Sequence, residues 1–201
     1  MNDKSKSVKH EFPCMQGKGN WVGVAFRKGR MEVPFEATAM VATLGPYVHT
    51  ELIVGKDSLA DVYSSFESKD AQYGFVRSDS VFDKENWSIV YLPLQSLTHA
   101  QGMSLALLAS NVPYNHNDLW QCCITCALPF EEELACDQVE DWKTHGVFCS
   151  QMCLLFLRSL MHHGDLVTAP GLAHMLENTH SRGCSPNLLF GILNSCAYKL
   201  L

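Results

Sequence analysis

The apolar pattern of this chain changes once, near residue 94, and this change restricts the fold more than any other feature. Before it, short segments rich in β-branched and aromatic residues alternate with turns, which is typical of β-strands. After it, apolar residues recur at helical spacing. A chain with strands first and helices second is predicted to fold as an α+β domain, in which helices pack on an antiparallel sheet.

Five segments carry the strand pattern. They are NWVGVAFRKG from residue 20, YVHTELIVG from residue 47, LADVYSSFES from residue 59, QYGFVR from residue 72 and WSIVYLPL from residue 87. The second and third are joined by GKDS, which predicts a β-hairpin whose turn is centred on Lys56 and Asp57. Residues 47–94 are therefore predicted to form a meander of about four strands. FEATAMVATLG fits either a strand or a short helix.

The segments after residue 94 carry helix signals of different quality. LQSLTHAQGMSLALLASN places Leu94, Leu97, Leu105 and Leu108 at roughly helical spacing. CSQMCLLFLRSLMHHG, from residue 149, is the best helix pattern in the chain, and Gly164 is predicted to cap its C-terminus. SPNLLFGILNSC opens with Ser185 as N-cap and Pro186 at the first helical position. The acidic segment EEELACDQVEDW is predicted to be a surface loop or a short exposed helix.

Length and charge limit the organisation and the partners. The 201 residues, 47% of them hydrophobic, suffice for one core, so we expect a flexible leader over residues 1–19 and a single domain over residues 20–201. The formal charge is −6, from 15 basic and 21 acidic residues, and no basic run with interleaved aromatics occurs. We therefore expect no nucleic acid partner.

The sequence also predicts a compartment. Its first residues are polar and lack the apolar core of a secretory signal, and its longest apolar runs, LALLA and CLLFL, are too short for a transmembrane segment. The nine cysteines are an odd number and several lie in apolar segments, which argues for reduced thiols. We expect a cytoplasmic protein with no transmembrane segment.

Cys149 stands where the best helix pattern begins. At a helix N-terminus, unpaired backbone N–H groups and the helix dipole favour a thiolate, and an adjacent imidazole lowers the thiol pKa further. Alternatively, Cys149 is a small apolar core residue, like Cys153 one turn later.

His49 lies in the middle of an apolar strand pattern, where its imidazole needs a polar partner. The period of two places His49, Glu51 and Ile53 on one face of the strand. The imidazole is then either a hydrogen-bonded core group or a catalytic one.

Five parts of the chain occur in an informative order: a strand histidine in HTEL, further strands, a connection containing PYN, FCS at a helix start, and SPNLL. This order resembles the circularly permuted NlpC-type branch of the papain-like superfamily. The branch includes YiiX-like hydrolases, lecithin retinol acyltransferase and related proteins of large DNA viruses. Its histidine precedes its cysteine, as His49 precedes Cys149 by a hundred residues. The resemblance covers about residues 45–195, and the first 45 residues match no part of it.

The resemblance implies roles for particular residues. Cys149 matches the nucleophile and His49 the general base, while the third polar group usually lies on the strand that follows the histidine. A regular hairpin pairs His49 with about Ser64, so Ser64 is the expected orienting residue and Glu51 the alternate. A register error of one residue would place Tyr63 or Ser65 there instead. FCSQM also replaces the NCEHF motif of the retinol acyltransferases, which argues against phospholipid acyl transfer.

The implied reaction is attack of the Cys149 thiolate on an amide or ester carbonyl, protonation of the leaving group by His49, and hydrolysis of the acyl-enzyme. The backbone N–H of Cys149 is the expected oxyanion donor. Substrates are then peptides, amides or acyl compounds, and no cofactor or metal is expected.

Two other functions fit the same residues. A structural zinc site is one, built from the C-x2-C pair Cys123 and Cys126 together with members of a later group. That group is Cys136, His145, Cys149 and Cys153. The other is a catalytically inactive binding or scaffold protein with the papain-like fold. His162 and His163 are expected to interact with the dipole at the helix C-terminus.

Overall fold

The computed structural model describes residues 9–65, 74–115, 119, 133–195 and the backbone of 198–199. Its strands are β1 (His10–Glu11), β2 (Asn20–Lys28), β3 (Tyr47–Lys56), β4 (Leu59–Ser65), β5 (Phe75–Arg77), β6 (Trp87–Pro93) and β7 (Tyr198–Lys199). Its helices are α1 (Pro34–Ala42), α2 (Thr98–Ser110), α3 (Val139–His145), α4 (Cys149–His162), α5 (Pro170–Asn178) and α6 (Pro186–Asn194). The predicted α+β class is confirmed.

The sheet is antiparallel, with strand order β1-β4-β3-β2-β6-β7, and β5 also pairs with β4. Consecutive strands β3, β4 and β5 are neighbours, as in a meander, but β6 crosses the sheet to pair with β2. The predicted four-strand meander is therefore wrong at its last strand. The apolar strand β2 is buried along most of its length, and β3 and β6 satisfy its two edges.

Apolar residues are buried on both faces of the sheet. On one face, the helices pack on side chains such as Val24, Leu52 and Val90. On the opposite face, Trp21, Ile53 and other residues pack with Phe12 and Met15 from the N-terminal segment. Residues 10–15 belong to the predicted flexible leader, yet they form β1 and a 3-10 turn, because Phe12 and Met15 cover this second apolar face.

The helix α4 begins and ends where the sequence predicts. Gly164 follows it with a left-handed φ of 74°, a conformation that favours glycine. The helix is buried on all sides from Cys149 to Leu160, including Gln151, Arg158 and Ser159. It is therefore the central helix of the domain, enclosed by β3, α5 and α6.

Other predictions for the helical region need correction. FEATAMVATLG forms a helix, α1, which begins at Pro34. In α2 the buried stripe is Ala100, Met103, Ser104 and Leu107. Of the predicted leucines, Leu94 is buried and Leu97 and Leu108 pack against the core, whereas Leu105 is 57% exposed, so the prediction is wrong at Leu105. In the acidic segment, Asp137 and Glu140 are exposed and a short helix begins at Val139, as predicted. Its apolar side chains are packed, however: Trp142 of α3 is fully buried and its indole donates to the Ala135 carbonyl at 3.0 Å.

Among the described residues, every helix is too short or too polar to cross a lipid bilayer.

Candidate active site

The start of α4 is fixed by the loop before it. Gly146 has a φ of 73°, and a Cβ there would lie 2.9 Å from the Pro113 carbonyl oxygen, so glycine is required on both counts. The Val147 backbone then donates to Pro113 at 3.0 Å and accepts from the Ser65 hydroxyl at 2.8 Å. Phe148 follows in an extended conformation as the N-cap. Cys149 is therefore the first residue of the helix, as the sequence predicts.

A β-bulge in β3, the strand that carries His49, changes which face of the sheet its first side chains occupy. Arg27 pairs with His49 and Lys28 with Tyr47, so Val48 is the additional residue. Because of this irregularity, Tyr47 and Leu52 both reach the core on the helix side of the sheet. Ile53 packs on the opposite side of the sheet, away from the helices. That side is the face that the alternation predicts for His49 and Ile53 together.

Asn187, in the first turn of α6, holds the beginning of β3. Its Oδ1 accepts from the Tyr47 backbone N–H at 2.9 Å, and its Nδ2 donates to the Tyr47 carbonyl at 2.9 Å and to the Thr43 hydroxyl at 2.6 Å. A Cβ at Gly45 would lie 2.3 Å from Oδ1, so this contact requires glycine there. Asn187 was not predicted as a site residue. Its place in the SPNLL segment is the one sequence signal that could have indicated it.

His49 and Cys149 interact through a side-chain hydrogen bond and through charge. Burial raises the pKa of the Cys149 thiol, but the His49 charge, its hydrogen bond and hydrogen bonds from Thr50 outweigh burial and hold the pKa below its ordinary value. Burial also opposes the charged form of His49, yet interactions with Cys149 and Glu51 raise the pKa of His49 to about 9. Both shifts favour the thiolate–imidazolium form of the pair over the thiol–imidazole form.

This lowered pKa distinguishes Cys149 from the other buried cysteines that the structure describes. Burial raises the pKa of Cys136 to about 12 and raises those of Cys153 and Cys184 above the ordinary thiol value. Cys153 lies one turn further along the same helix and donates to the Thr50 hydroxyl at 3.6 Å. Burial alone therefore raises the pKa of a thiol on this helix and leaves it unreactive, whereas the neighbouring imidazole lowers the pKa of Cys149.

The Nε2 side of the imidazole meets two polar groups. The Nε2 atom of His49 lies 3.0 Å from the Ser64 hydroxyl and 3.6 Å from Oε1 of Glu51. Ser64 pairs across the ladder with Glu51, so the predicted pairing of Ser64 with His49 is wrong, although the two side chains meet on the diagonal.

Glu51 is a buried carboxylate, with 3% of its surface exposed. Its Oε1 accepts from the hydroxyls of Ser78 at 3.0 Å and Ser80 at 2.8 Å, whereas Oε2 has no hydrogen-bond partner among the described residues. The carboxylate thus supplies a negative charge beside the imidazolium and raises the pKa of His49.

The two halves of the pair differ in exposure. The Cys149 residue is 1% exposed, whereas the His49 side chain is 18% exposed. The imidazole borders a cavity of about 390 Å³, whose lining includes Glu51, Ser64, Arg77 and Trp87. The Trp87 and His49 rings meet edge to face, with centroids 6.5 Å apart. A substrate approaching from this cavity reaches the imidazole first.

The predicted zinc site is not assembled by those of its residues that are described. Cys123 and Cys126 lie outside the described residues. Of the described groups, the cluster close enough to hold a metal ion is Cys136, Asp137 and His162, which leaves out His145, Cys149 and Cys153.

Comparisons with protein-family models, with curated proteins and with solved structures find no match to this chain.

Proposed function

We propose that this chain is a cysteine hydrolase or acyltransferase that acts on amide or ester bonds, with the permuted papain-like arrangement that its motifs resemble. The observation that carries the proposal is the interaction of His49 with Cys149 at the first residue of α4. It agrees with a lowered pKa of Cys149, whereas burial raises the pKa of Cys136, Cys153 and Cys184. A thiolate at neutral pH is the reactive form of a cysteine nucleophile.

The reaction begins with attack of the Cys149 sulfur on the carbonyl carbon of the substrate. The carbonyl oxygen becomes an oxyanion, which the backbone N–H of Cys149 at the start of α4 stabilises, because a helix N-terminus directs its N–H donors toward negative charge. When the bond to the leaving group breaks, the His49 imidazolium gives its proton to that group. The products of this step are a thioester on Cys149, a neutral imidazole and the free leaving group.

Neutral His49 then removes a proton from water as the water attacks the thioester. Cleavage of the carbon–sulfur bond releases the acid and restores the thiolate–imidazolium pair. An alcohol or amine in place of water gives acyl transfer. The groups near Nε2 have a positioning role in both steps: Ser64 holds the ring orientation and Glu51 stabilises its positive charge.

The need for a thiolate agrees with the predicted reducing compartment, since an oxidised Cys149 would not react. Substrate must also reach a sulfur that is 1% exposed, so we propose that groups around the start of α4 move aside on binding.

This burial favours a second candidate, an inactive binding protein that keeps the Cys149–His49 pair as a core contact. The two candidates predict different behaviour of the thiol. An enzyme accumulates an acyl group on Cys149 during turnover, whereas a binding protein retains ligand without chemical change.

The test compares wild-type protein with Cys149→Ala on a peptide library and on a panel of acyl amides, esters and thioesters. We expect product and an acyl adduct on Cys149 in the wild type, neither in the variant, and unchanged turnover in Cys14→Ser, which alters an exposed cysteine. Turnover by Cys149→Ala would refute the assignment. Binding without any product in the wild type would support the scaffold.

A further inference from the structure

A second group of potential metal ligands lies at the C-terminal end of α4. The Cys136 sulfur lies 3.2 Å from Nδ1 of His162, and the Asp137 carboxylate lies 3.5 Å from the same nitrogen. One donor atom from each residue falls within 4.8 Å of the other two. We propose that Cys136, Asp137 and His162 bind a single Zn²⁺ ion.

The spacing of the three donors suits tetrahedral zinc. Usual bond lengths place sulfur and nitrogen ligands about 3.5 Å apart, and nitrogen and oxygen ligands about 3.3 Å apart. The observed separations, 3.2 Å between Cys136 and His162 and 3.5 Å between His162 and Asp137, differ from these values by a few tenths of an ångström. The third pair, Cys136 and Asp137, lies within 4.8 Å, so rotation of these side chains brings the donors toward bonding distance.

The surroundings of His162 also fit a metal ligand. A ligating histidine usually gives its second ring N–H to a carboxylate, which fixes the ring and the tautomer. Here Nε2 of His162 lies 2.6 Å from Oε1 of Glu177, so Nδ1 is left with a lone pair that points toward Cys136 and Asp137. Asp137 is held in turn by a hydrogen bond with Ser159.

The donor set selects zinc among common divalent ions. Ca²⁺ and Mg²⁺ prefer oxygen ligands, whereas a thiolate, an imidazole and a carboxylate together suit Zn²⁺. The side chains of His162 and Asp137 are 41% and 44% exposed, so an ion can enter from solvent. Asp137 also borders a cavity of about 540 Å³ with His99 and Ser159, where water can serve as fourth ligand.

The ion would join three parts of the chain, namely the segment before α3, the end of α4 and, through Glu177, helix α5. The helix rise of about 1.5 Å per residue separates Cys149 from His162 by roughly 20 Å. The ion is therefore too far from Cys149 to contact reacting atoms, and its role is to fasten these segments together.

The experiment uses the full chain carrying Cys149→Ala, so that the thiolate–imidazole pair cannot supply ligands. Bound zinc is measured by mass spectrometry after dialysis, and its affinity by competition with a chromogenic chelator. We expect one ion per chain, loss of binding in Cys136→Ser and in His162→Gln, and an affinity about 10- to 100-fold weaker in Glu177→Gln. Cys14→Ser, at an exposed cysteine, should bind zinc as the parent does.

A second readout is taken on the parent protein and therefore does not depend on how the variants fold. Cobalt bound to the parent should show a thiolate-to-metal charge-transfer band. No zinc in the parent, a cobalt spectrum without thiolate, or zinc that Cys136→Ser retains and Cys123→Ser loses would each overturn the site.

Discussion

The carboxylate of Glu51 lies 3.6 Å from Nε2 of His49, and the same imidazole ring interacts with the Cys149 thiol. The imidazolium is thus placed between two anions, one of which is the proposed nucleophile and the other a buried group with 3% exposure. This arrangement stabilises the charged ring although burial opposes it. The predictions below follow from this balance and from the contacts that fix its members.

Activity should depend on pH through both members of the pair. The raised pKa of His49, about 9, means that imidazolium is lost as pH rises through that value, and turnover should fall there. Glu51→Gln removes a charge that raises the His49 pKa, so the alkaline limb of kcat/KM should move to lower pH. The measurement is the pH profile of kcat/KM for both proteins.

Ser64→Ala serves as the comparison in that experiment. It removes the neutral hydroxyl 3.0 Å from Nε2 but no charge, so kcat should fall by roughly 10-fold or more while the alkaline limb moves less than in Glu51→Gln. Equal shifts of the limb in both variants would contradict the distinct roles of the two side chains.

Thr50 helps to hold the thiolate through its backbone and its hydroxyl. Thr50→Val keeps the shape of the side chain and removes the hydroxyl, so the pKa of Cys149 should rise and the acid limb of kcat/KM should move to higher pH. Thr38→Val, which alters an exposed hydroxyl in α1, should leave the profile unchanged. An unaltered acid limb in Thr50→Val would remove Thr50 from the site.

Asn187→Leu should loosen the start of the histidine strand, because it removes the side-chain hydrogen bonds to Tyr47 and Thr43. We expect a loss of about 1–3 kcal/mol in the free energy of unfolding, measured by urea titration, together with lower turnover. The control is Asn178→Ala, at an exposed position of α5, which should change neither quantity. Wild-type kcat in folded Asn187→Leu would show that the bulge before His49 holds its shape without this contact.

Arg158 is a buried polar residue that should also matter for stability. Its side chain is 6% exposed, pairs with Glu133 and donates to the backbone carbonyls of Leu176, Glu177 and Thr179. Arg158→Met leaves these acceptors unsatisfied and should cost about 3–5 kcal/mol of unfolding free energy. Lys143→Met, at a side chain 53% exposed, should change stability by less than about 0.5 kcal/mol. If the two variants lost similar amounts of unfolding free energy, water would be supplying the hydrogen bonds that the Arg158 side chain makes in the wild type.

The placement of His49 and Cys149 could be predicted because each lies at a point that local pattern defines, a strand centre and a helix start. The α+β class could be predicted because the spacing of apolar residues changes from strand-like to helical near residue 94, which is also a local pattern. The contact between Ser64 and His49 was predicted from an incorrect register, and it occurs because diagonal neighbours on a sheet also meet.

What the sequence did not reveal depends on tertiary contacts. The bulge at Val48 is set by pairing with β2, and Asn187 reaches Tyr47 from 140 positions away. Arg158 lies within an apolar helix pattern, and nothing in that pattern indicates that backbone carbonyl groups of α5 accept hydrogen bonds from its side chain. In α2, two apolar stripes overlap in the sequence, and only packing decides that Met103 and Leu107 face the core.

The central claim is that Cys149 is a thiolate at neutral pH because His49 carries its proton. The most direct test is the thiolate ultraviolet absorbance of wild-type protein minus that of Cys149→Ser, followed through an acid titration and repeated in a His49→Ala background. We predict a thiolate signal at pH 7 that persists below the usual thiol pKa of about 8.5 and disappears in His49→Ala. A signal that arises only above about pH 8.5 in the wild type would contradict the account.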